Sequence, residues 1–559
     1  MVREGLSERD IPVFPKKERD KRAEICFTSC MATGLKIPSI SEEERTPLVV
    51  SLLEIIRFQQ DQIQELRDEI ARLKGQKPRP KIRPSPLEKD PASREKKSGT
   101  KKRPGSAKRT KALTIHETVI LRAHDVPQRS TFKGYEDFTV QGLVLRPHNT
   151  LYRRERWITP DGKWIVAPLP GDLTAHGGHF DASLQRFILY QYHHCHVTQP
   201  LLLEELRELG IDISSGQVNR IITEGNECFH REKDEILRVG LRASTHVNVD
   251  DTGARHKGKN GYCTHIGNEM FAWFQSTAHK SRLNFLELLR AGADDYVLNN
   301  DALEYIKDQK LPKTHIDRLV KAGKIVCEDQ ADWNRTLESM GITADRHALI
   351  ATEGAVLGSV LEHDRLNAEL VIISDDAGQF DILVHALCWI HAERSIGKLV
   401  GFNDAQREAV AEVRSQIWEF YKDLKTYKEK PDPQTRTELE ERFDQIFTTR
   451  TCYAMLNRAV DRIHKNKAEL LHVLERPDIP LHNNSSERDI REYVKKRKIS
   501  GSTRSDPGRR CRDTFASLKK TCRKLGVGFW DYLEDRLSGA DSIPWLPDLL
   551  KQRLAVSLE

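Results

Sequence analysis

The residues of this sequence best suited to chemistry are five acids. Asp250 and Asp251 close the segment STHVNVDD, Asp375 and Asp376 close AELVIISDD, and Glu487 opens the stretch NNSSERDIR. Carboxylates at strand ends, joined by a third on a helix, can converge on a divalent cation, and hard oxygen donors suit Mg²⁺ or Mn²⁺. Two such ions about 3.5–4 Å apart hold the attacking and leaving oxygens of an in-line phosphoryl displacement. The same residue types also suit plainer duties. Strand-end aspartates make turns and cap helices, and Glu487 fits a capping box. Neighbours on a strand face opposite sides, so one aspartate of each pair at most can be a ligand.

The elements that must position these acids follow from periodicity. STHVNVDD alternates as a strand, GYCTHIG and EMFAWFQST form a hairpin, and AELVIISDD is apolar on both faces, as at a sheet centre. Residues 295–365 and 400–478 are expected to be helix-rich insertions; in the second, Val410, Val413, Ile417, Phe420 and Leu424 mark one packing face, and Leu439, Phe443, Ile446 and Phe447 another. Residues 173–243 are expected to be helical. Within them QPLLLEELRELGIDISSGQVNRIITEG has a helix, a turn at Gly210 and a second helix from Ser214 or Ser215. This is a helix-turn-helix pattern, with Gln217, Asn219 and Arg220 as candidates to face a DNA groove, although any helical hairpin shows the same spacing. Residues 113–172 are expected to be strand-rich, with a hairpin turning at Thr159-Pro160-Asp161-Gly162. From Val49 a heptad of Leu52, Ile56, Gln59, Ile63, Leu66, Ile70 and Leu73 predicts a coiled coil over 49–73 and, through it, a homo-oligomer.

Charge sharpens the partner. The 559 residues carry 90 Lys and Arg against 83 Asp and Glu, a net of +7. Between Lys74 and Ala112 there are fifteen basic residues against three acids, and between Leu481 and Trp530 fourteen against five. Two basic blocks on an otherwise acidic chain point to a polyanion, and the first block, rich in proline, is expected to be an extended tether. No apolar run reaches the length of a membrane span and the start lacks a secretory segment. The ten cysteines form no CxxC pair, so a reduced cytoplasmic protein is expected. His193, His194, Cys195 and His196 are ligand types, but four consecutive residues cannot all reach one metal from a regular element, and packing is the expected role.

VDDTGAR, SDDAGQF followed by CWIHAER, and NNSSERDIR followed by RKISGS and SLKKTCRKLGVGFWDYL together resemble the transposases of the insertion-sequence-66 family. The resemblance implies an α/β catalytic core of ribonuclease-H-like type, a mixed sheet flanked by helices and interrupted by α-helical insertions, preceded by the coiled coil and the helix-turn-helix-like domain. Carried over motif by motif, it implies a catalytic and metal-binding triad of Asp250, Asp375 and Glu487 with two Mg²⁺ or Mn²⁺ ions, Asp251 and Asp376 being the adjacent alternatives. Arg488, Arg491, Arg497 and Lys498 would contact DNA, and His391 and Arg394 would support the site. The partition expected is a flexible tail (1–46), coiled coil (47–74), basic linker (75–112), strand-rich module (113–172) and helical DNA-binding domain (173–243). The catalytic core would be 244–294 with 366–399 and 479–537, split by insertions at 295–365 and 400–478 and followed by a C-terminal tail (538–559). The family usually carries a cysteine-based zinc module where residues 113–172 have no cysteine, so no structural zinc is expected. The activity implied is that of a DNA transposase of a bacterial insertion sequence, a nucleoid-associated phosphoryl-transfer enzyme. It would cleave the 3′ ends of element DNA at terminal inverted repeats and join them to target DNA. Two alternatives stay open in the sequence: a DNA-binding protein that keeps the fold without catalysis, and a nuclease that cuts without joining.

Overall fold

A computed structural model describes residues 114–169 apart from Ala123, Asp125 and Val126, residues 179–556, and the single residues Thr46, Val49 and Gln59. Apart from those three positions, the predicted tail, coiled coil and basic linker lie outside the described residues. The chain divides into two units between Tyr135 and Glu136, and the elements below belong to the second.

Residues 113–172 are less regular than expected. Their described strands are β1 (Arg156–Ile158) and β2 (Trp164–Val166), an antiparallel hairpin whose Gly162 adopts φ +79°, as the Asp-Gly turn requires. The other described residues there form no strand, because their apolar side chains, such as Phe138, Leu143 and Val144, meet no covering layer.

Four helices follow: α1 (Ala182–Leu189), which runs into a π-helical turn at Tyr190–His194, then α2 (Gln199–Glu208), α3 (Ser215–Thr223) and α4 (Glu227–Ala243). The first three close on Ile188, Leu202, Leu206, Ile213, Val218 and Ile222. Gly210, at φ +83°, makes the turn between α2 and α3.

Next come β3 (His246–Gly253), β4 (Tyr262–Gly267), β5 (Ala272–Thr277) and α5 (Arg282–Leu289). The first insertion holds β6 (Tyr296–Leu298), α6 (Asn300–Asp308), α7 (Lys313–Ala322), β7 (Ile325–Cys327), α8 (Gln330–Ser339) and α9 (Asp345–Glu362). It is thus not purely helical, since β6 and β7 pair antiparallel. Then come β8 (Val371–Ser374), β9 (Val384–Leu387) and α10 (Trp389–Gly397). The second insertion is helical, with α11 (Asp404–Glu429), α12 (Pro433–Thr448), α13 (Ala454–Lys465) and the short α14 (Lys467–Leu471). Last are α15 (Asn484–Ser500), α16 (Asp506–Lys524), α17 (Phe529–Ser538) and α18 (Leu546–Val556). The expected C-terminal tail therefore contains a helix. Leu546, Leu550 and Leu554 recur every fourth residue, one helical face, and are buried.

The five-stranded sheet has the order β5-β4-β3-β8-β9, antiparallel across β5-β4-β3 and parallel across β3-β8-β9. The alternation in β8 explains the two-sided layering. Ile372 joins the core that includes Val247 and Val249 of β3 and Val356 and Val360 of α9, whereas Val371 and Ile373 join the core of Trp389, Phe420 and Phe443. One insertion therefore covers each face. The strand β3 runs past its aspartates to Gly253, paired with β4 throughout, while its pairing with β8 stops at Asn248↔Ile373. Beyond that point β3 has no strand partner on the β8 side among the described residues, and Asp250 stands there. Crevices at the carboxyl ends of parallel strands are the usual ligand positions of open α/β sheets.

Candidate active site

The central sheet brings two of the three predicted acids to one edge, and α15 delivers the third. Asp375 follows the last residue of β8 directly, and Ser374 donates its hydroxyl to the Asp375 carbonyl, which fixes that turn. Glu487 lies in the first turn of α15, where the helix N-terminus favours a carboxylate. The start of α15 is fastened by Asn483, which is only 1% exposed. Its Nδ2 donates to the Val249 carbonyl (2.7 Å), its Oδ1 accepts from Asn248 Nδ2 (3.0 Å), and its backbone N–H points at Cys388 Sγ (3.1 Å). One asparagine thus ties the strand before Asp250, the start of α10 and the helix of Glu487. Further along, His265 of β4 meets Ser486 Oγ (2.8 Å) and Asp489 Oδ2 (3.3 Å).

Within each aspartate pair the two members have different surroundings. The described partner of Asp250 is the backbone N–H of Asp251 (2.7 Å). Burial pushes the Asp250 carboxyl up to about 7; that backbone bond opposes the shift, and the charges of Asp375, Asp251 and Glu487 add to it. Asp251 accepts from Thr264 Oγ1 (2.5 Å) and Gln379 Nε2 (3.0 Å) and has Lys280 Nζ at 4.0 Å. Burial raises its carboxyl too, against those contacts. Asp376 turns to the second insertion, paired with Arg462 and accepting from Asn466 Nδ2 (3.2 Å). Asp375 Oδ1, by contrast, is buried and has no hydrogen-bond partner.

Glu487 is engaged. Arg394 Nη1 donates to its Oε1 (2.7 Å), Nη2 lies 3.5 Å from Oε2, and His391 Nε2 lies 3.8 Å from Oε1. Among the described residues no three His, Cys, Asp or Glu side chains stand close enough to share one ion. The donor set nevertheless fits a hard cation. It offers oxygens alone, one of them a buried orphan acceptor, in a setting where burial, with the charges of the neighbouring acids added, already favours protonation of Asp250. Asp250, Asp375 and Glu487 are the residues that would hold it.

The predicted DNA contacts separate into two kinds. Arg488, Arg491 and Lys498, with Lys495, are exposed along one face of α15. Arg497 is tied to the end of β3 through Thr252 Oγ1 (3.2 Å) and the Gly253 carbonyl. In α3, Gln217 completes a capping box with Ser214, its amide oxygen accepting from the Ser214 N–H (3.2 Å). Asn219 accepts from Gln199 Nε2 (3.1 Å), and Arg220 is exposed. The imidazoles of the His193–His196 run disperse, His193 stacking on Phe515 (4.2 Å) and His194 on Tyr190 (4.4 Å). Roles for Asn248, Asn483, His265, Lys280 and Gln379 were not foreseen in the sequence. Of these, Asn483 lay within the motif NNSSERDIR and Gln379 within SDDAGQF; the others are brought in by strand pairing and chain crossing.

The family described as "Transposase IS66 family" matches residues 363–510, a span that contains Asp375, His391, Arg394 and Glu487. The chain is also similar to "Uncharacterized protein y4jO" of Sinorhizobium fredii (strain NBRC 101917 / NGR234). The two are 45% identical over 304 residues, which is 54% of this chain and 94% of that protein. The chain belongs to the IS66 family of transposases.

Proposed function

We propose that this protein is an Asp-Asp-Glu transposase that cleaves the 3′ ends of its element and joins them to target DNA, with a ribonuclease-H-like core. The observation that supports the reading is that Asp250, on the stretch of β3 beyond its pairing with β8, feels the charges of both Asp375 and Glu487. The sheet order β5-β4-β3-β8-β9, with three antiparallel strands followed by two parallel ones, supports the fold assignment. Two bound Mg²⁺ or Mn²⁺ ions would supply stabilisation of charge on the attacking and leaving oxygens.

The chain's own residues do the rest. Asn483 holds α15 against β3, so that the acids from three separate segments keep a common register. The exposed Arg488, Arg491 and Lys498 offer charge-assisted contacts to the phosphate backbone and guide the strand along α15 toward the acids. In the first step a water oxygen bonds to the scissile phosphorus and the 3′ oxygen leaves, taking a proton. In the second, that 3′-hydroxyl attacks a target phosphodiester, loses its proton, and expels the target 3′ oxygen. Both are in-line displacements at phosphorus, so one site can serve both. α2 and α3, joined at Gly210, form the helix-turn-helix that would contact DNA, with Asn219 and Arg220 exposed on α3 and Gln217 stabilising its start. The heptad over 49–73 would pair protomers so that two element ends, each a terminal inverted repeat, are held together.

The pairwise contrast of neighbouring aspartates tests this reading. Asp250→Asn and Asp375→Asn are expected to abolish Mg²⁺-dependent cleavage of element ends, while Asp251→Asn and Asp376→Asn retain it. Cleavage that survives in Asp250→Asn and is lost in Asp251→Asn would reverse the assignment.

A further inference from the structure

We propose that Arg394 is a gate on the active site: without DNA it holds the Glu487 carboxylate away from the position of the cation, and a DNA phosphate draws it off. The inference rests on the reading of Asp250, Asp375 and Glu487 as the metal-holding set. Three features of the molecule lead to it.

First, the three acids differ in how they are engaged. Asp250 keeps a single backbone donor and Asp375 keeps a buried oxygen with no donor at all, whereas Glu487 is held by a guanidinium. Second, the two helices are fastened by residues other than Arg394 and Glu487. Cys388, at the start of α10, receives the Asn483 N–H, so α10 and α15 are clasped together at their N-termini, and Arg394 meets Glu487 one turn or two further on. The pairing can therefore change without moving either helix. Third, the two partners differ in access. The Glu487 side chain is 17% exposed and that of Arg394 is 45% exposed, so the arginine keeps a face open to an incoming strand. A guanidinium fork suits phosphate as well as carboxylate, and the exposed Arg488 and Arg491 on the neighbouring helix would bring phosphates past it.

A cation and Arg394 then compete for Glu487, and DNA and Glu487 compete for Arg394. By linkage, DNA must tighten cation binding, and the cation must tighten DNA binding by the same factor. An enzyme built this way assembles its complete metal site on its substrate.

Mn²⁺ binding to the full-length protein, followed by electron paramagnetic resonance with and without duplex DNA at low salt, reads this directly once uptake by DNA alone is subtracted. In wild type, DNA is expected to raise the Mn²⁺ affinity about fivefold or more. Arg394→Met and Arg394→Gln are expected to show the tighter affinity without DNA and little further gain when DNA is added. Equal or weaker Mn²⁺ binding in the DNA-free variants would overturn the gate, and weaker binding would make Arg394 an orienting partner of the assembled site. Glu487→Gln separates this from failure of the triad itself. If that variant binds Mn²⁺ as wild type does in the presence of DNA, Glu487 is no ligand and the metal reading fails, whatever Arg394 does.

Discussion

Asp250 keeps company with a single backbone N–H, three nearby acids and a buried setting, and that combination makes its ionised form costly in the folded state. Removing its charge should therefore stabilise the protein while disabling it. Asp250→Asn is expected to raise the melting temperature of the metal-free protein at neutral pH by a few degrees, read by calorimetry in chelator, because the folded state no longer buries a carboxylate beside other acids. Asp251 differs by one position and in every contact. Asp251→Ala strands Thr264, Gln379 and Lys280, and is expected to cost about 1–3 kcal/mol of stability by chemical denaturation. The choice of Asp250 and Asp375 within each pair came from the family motifs, not from periodicity. Alternation along a strand shows that the two faces differ, but only the β4 register and the crossing of residue 379 show which face is already occupied.

Along α15 one face meets solvent and the other a dense set of charges. Burial alone would raise Glu492, but Lys519 and Lys520 of α16, at 2.6 and 2.7 Å, outweigh it and bring its carboxyl down to about 2. A carboxyl lowered in the folded state contributes stability that is present above its unfolded value of 4.5 and lost as pH falls toward 2. Glu492→Gln is thus expected to cost about 3 kcal/mol at neutral pH, with the difference from wild type shrinking between pH 4.5 and 2 in denaturation curves. On the solvent face, Arg488→Ala should weaken binding of duplex DNA uniformly and lower the slope of log affinity against log salt by about 1. Helices and their faces were well marked in the sequence: the stripes Val410 to Leu424 and Leu439 to Phe447 are buried as their spacing required. Side-chain duties at helix starts were not. Gln217 carries the spacing of a groove reader and serves as a capping partner, since both duties suit a polar residue in a first turn.

The whole second unit is held by insertions that are structural as much as additional. Residues of the first insertion, Trp333, Ala355 and Val356 among them, share a continuous apolar cluster with Val247 and Val249 of the central strand. The first insertion and the sheet should therefore melt together. Trp333→Ala, far from the acids in sequence, is expected to cost about 3–5 kcal/mol and to move a single calorimetric transition rather than split one off. The sequence displayed this segment as a long spacer between Asp250 and Asp375, because shared burial cannot be seen in the periodicity of one helix. It also displayed the C-terminus as a tail, where Leu546, Leu550 and Leu554 form too short a stripe to stand out. The mixed sheet flanked by helices follows the expectation from the motifs. The central claim is that Asp250, Asp375 and Glu487 form one metal-dependent phosphoryl-transfer site. Its most direct test is a strand-transfer assay with labelled element ends, in Mg²⁺, on wild type and Glu487→Gln at matched DNA occupancy. Joined products from wild type, and neither cleavage nor joining from the variant while DNA binding persists, is the result expected. Cleavage and joining by Glu487→Gln at the wild-type rate would contradict it.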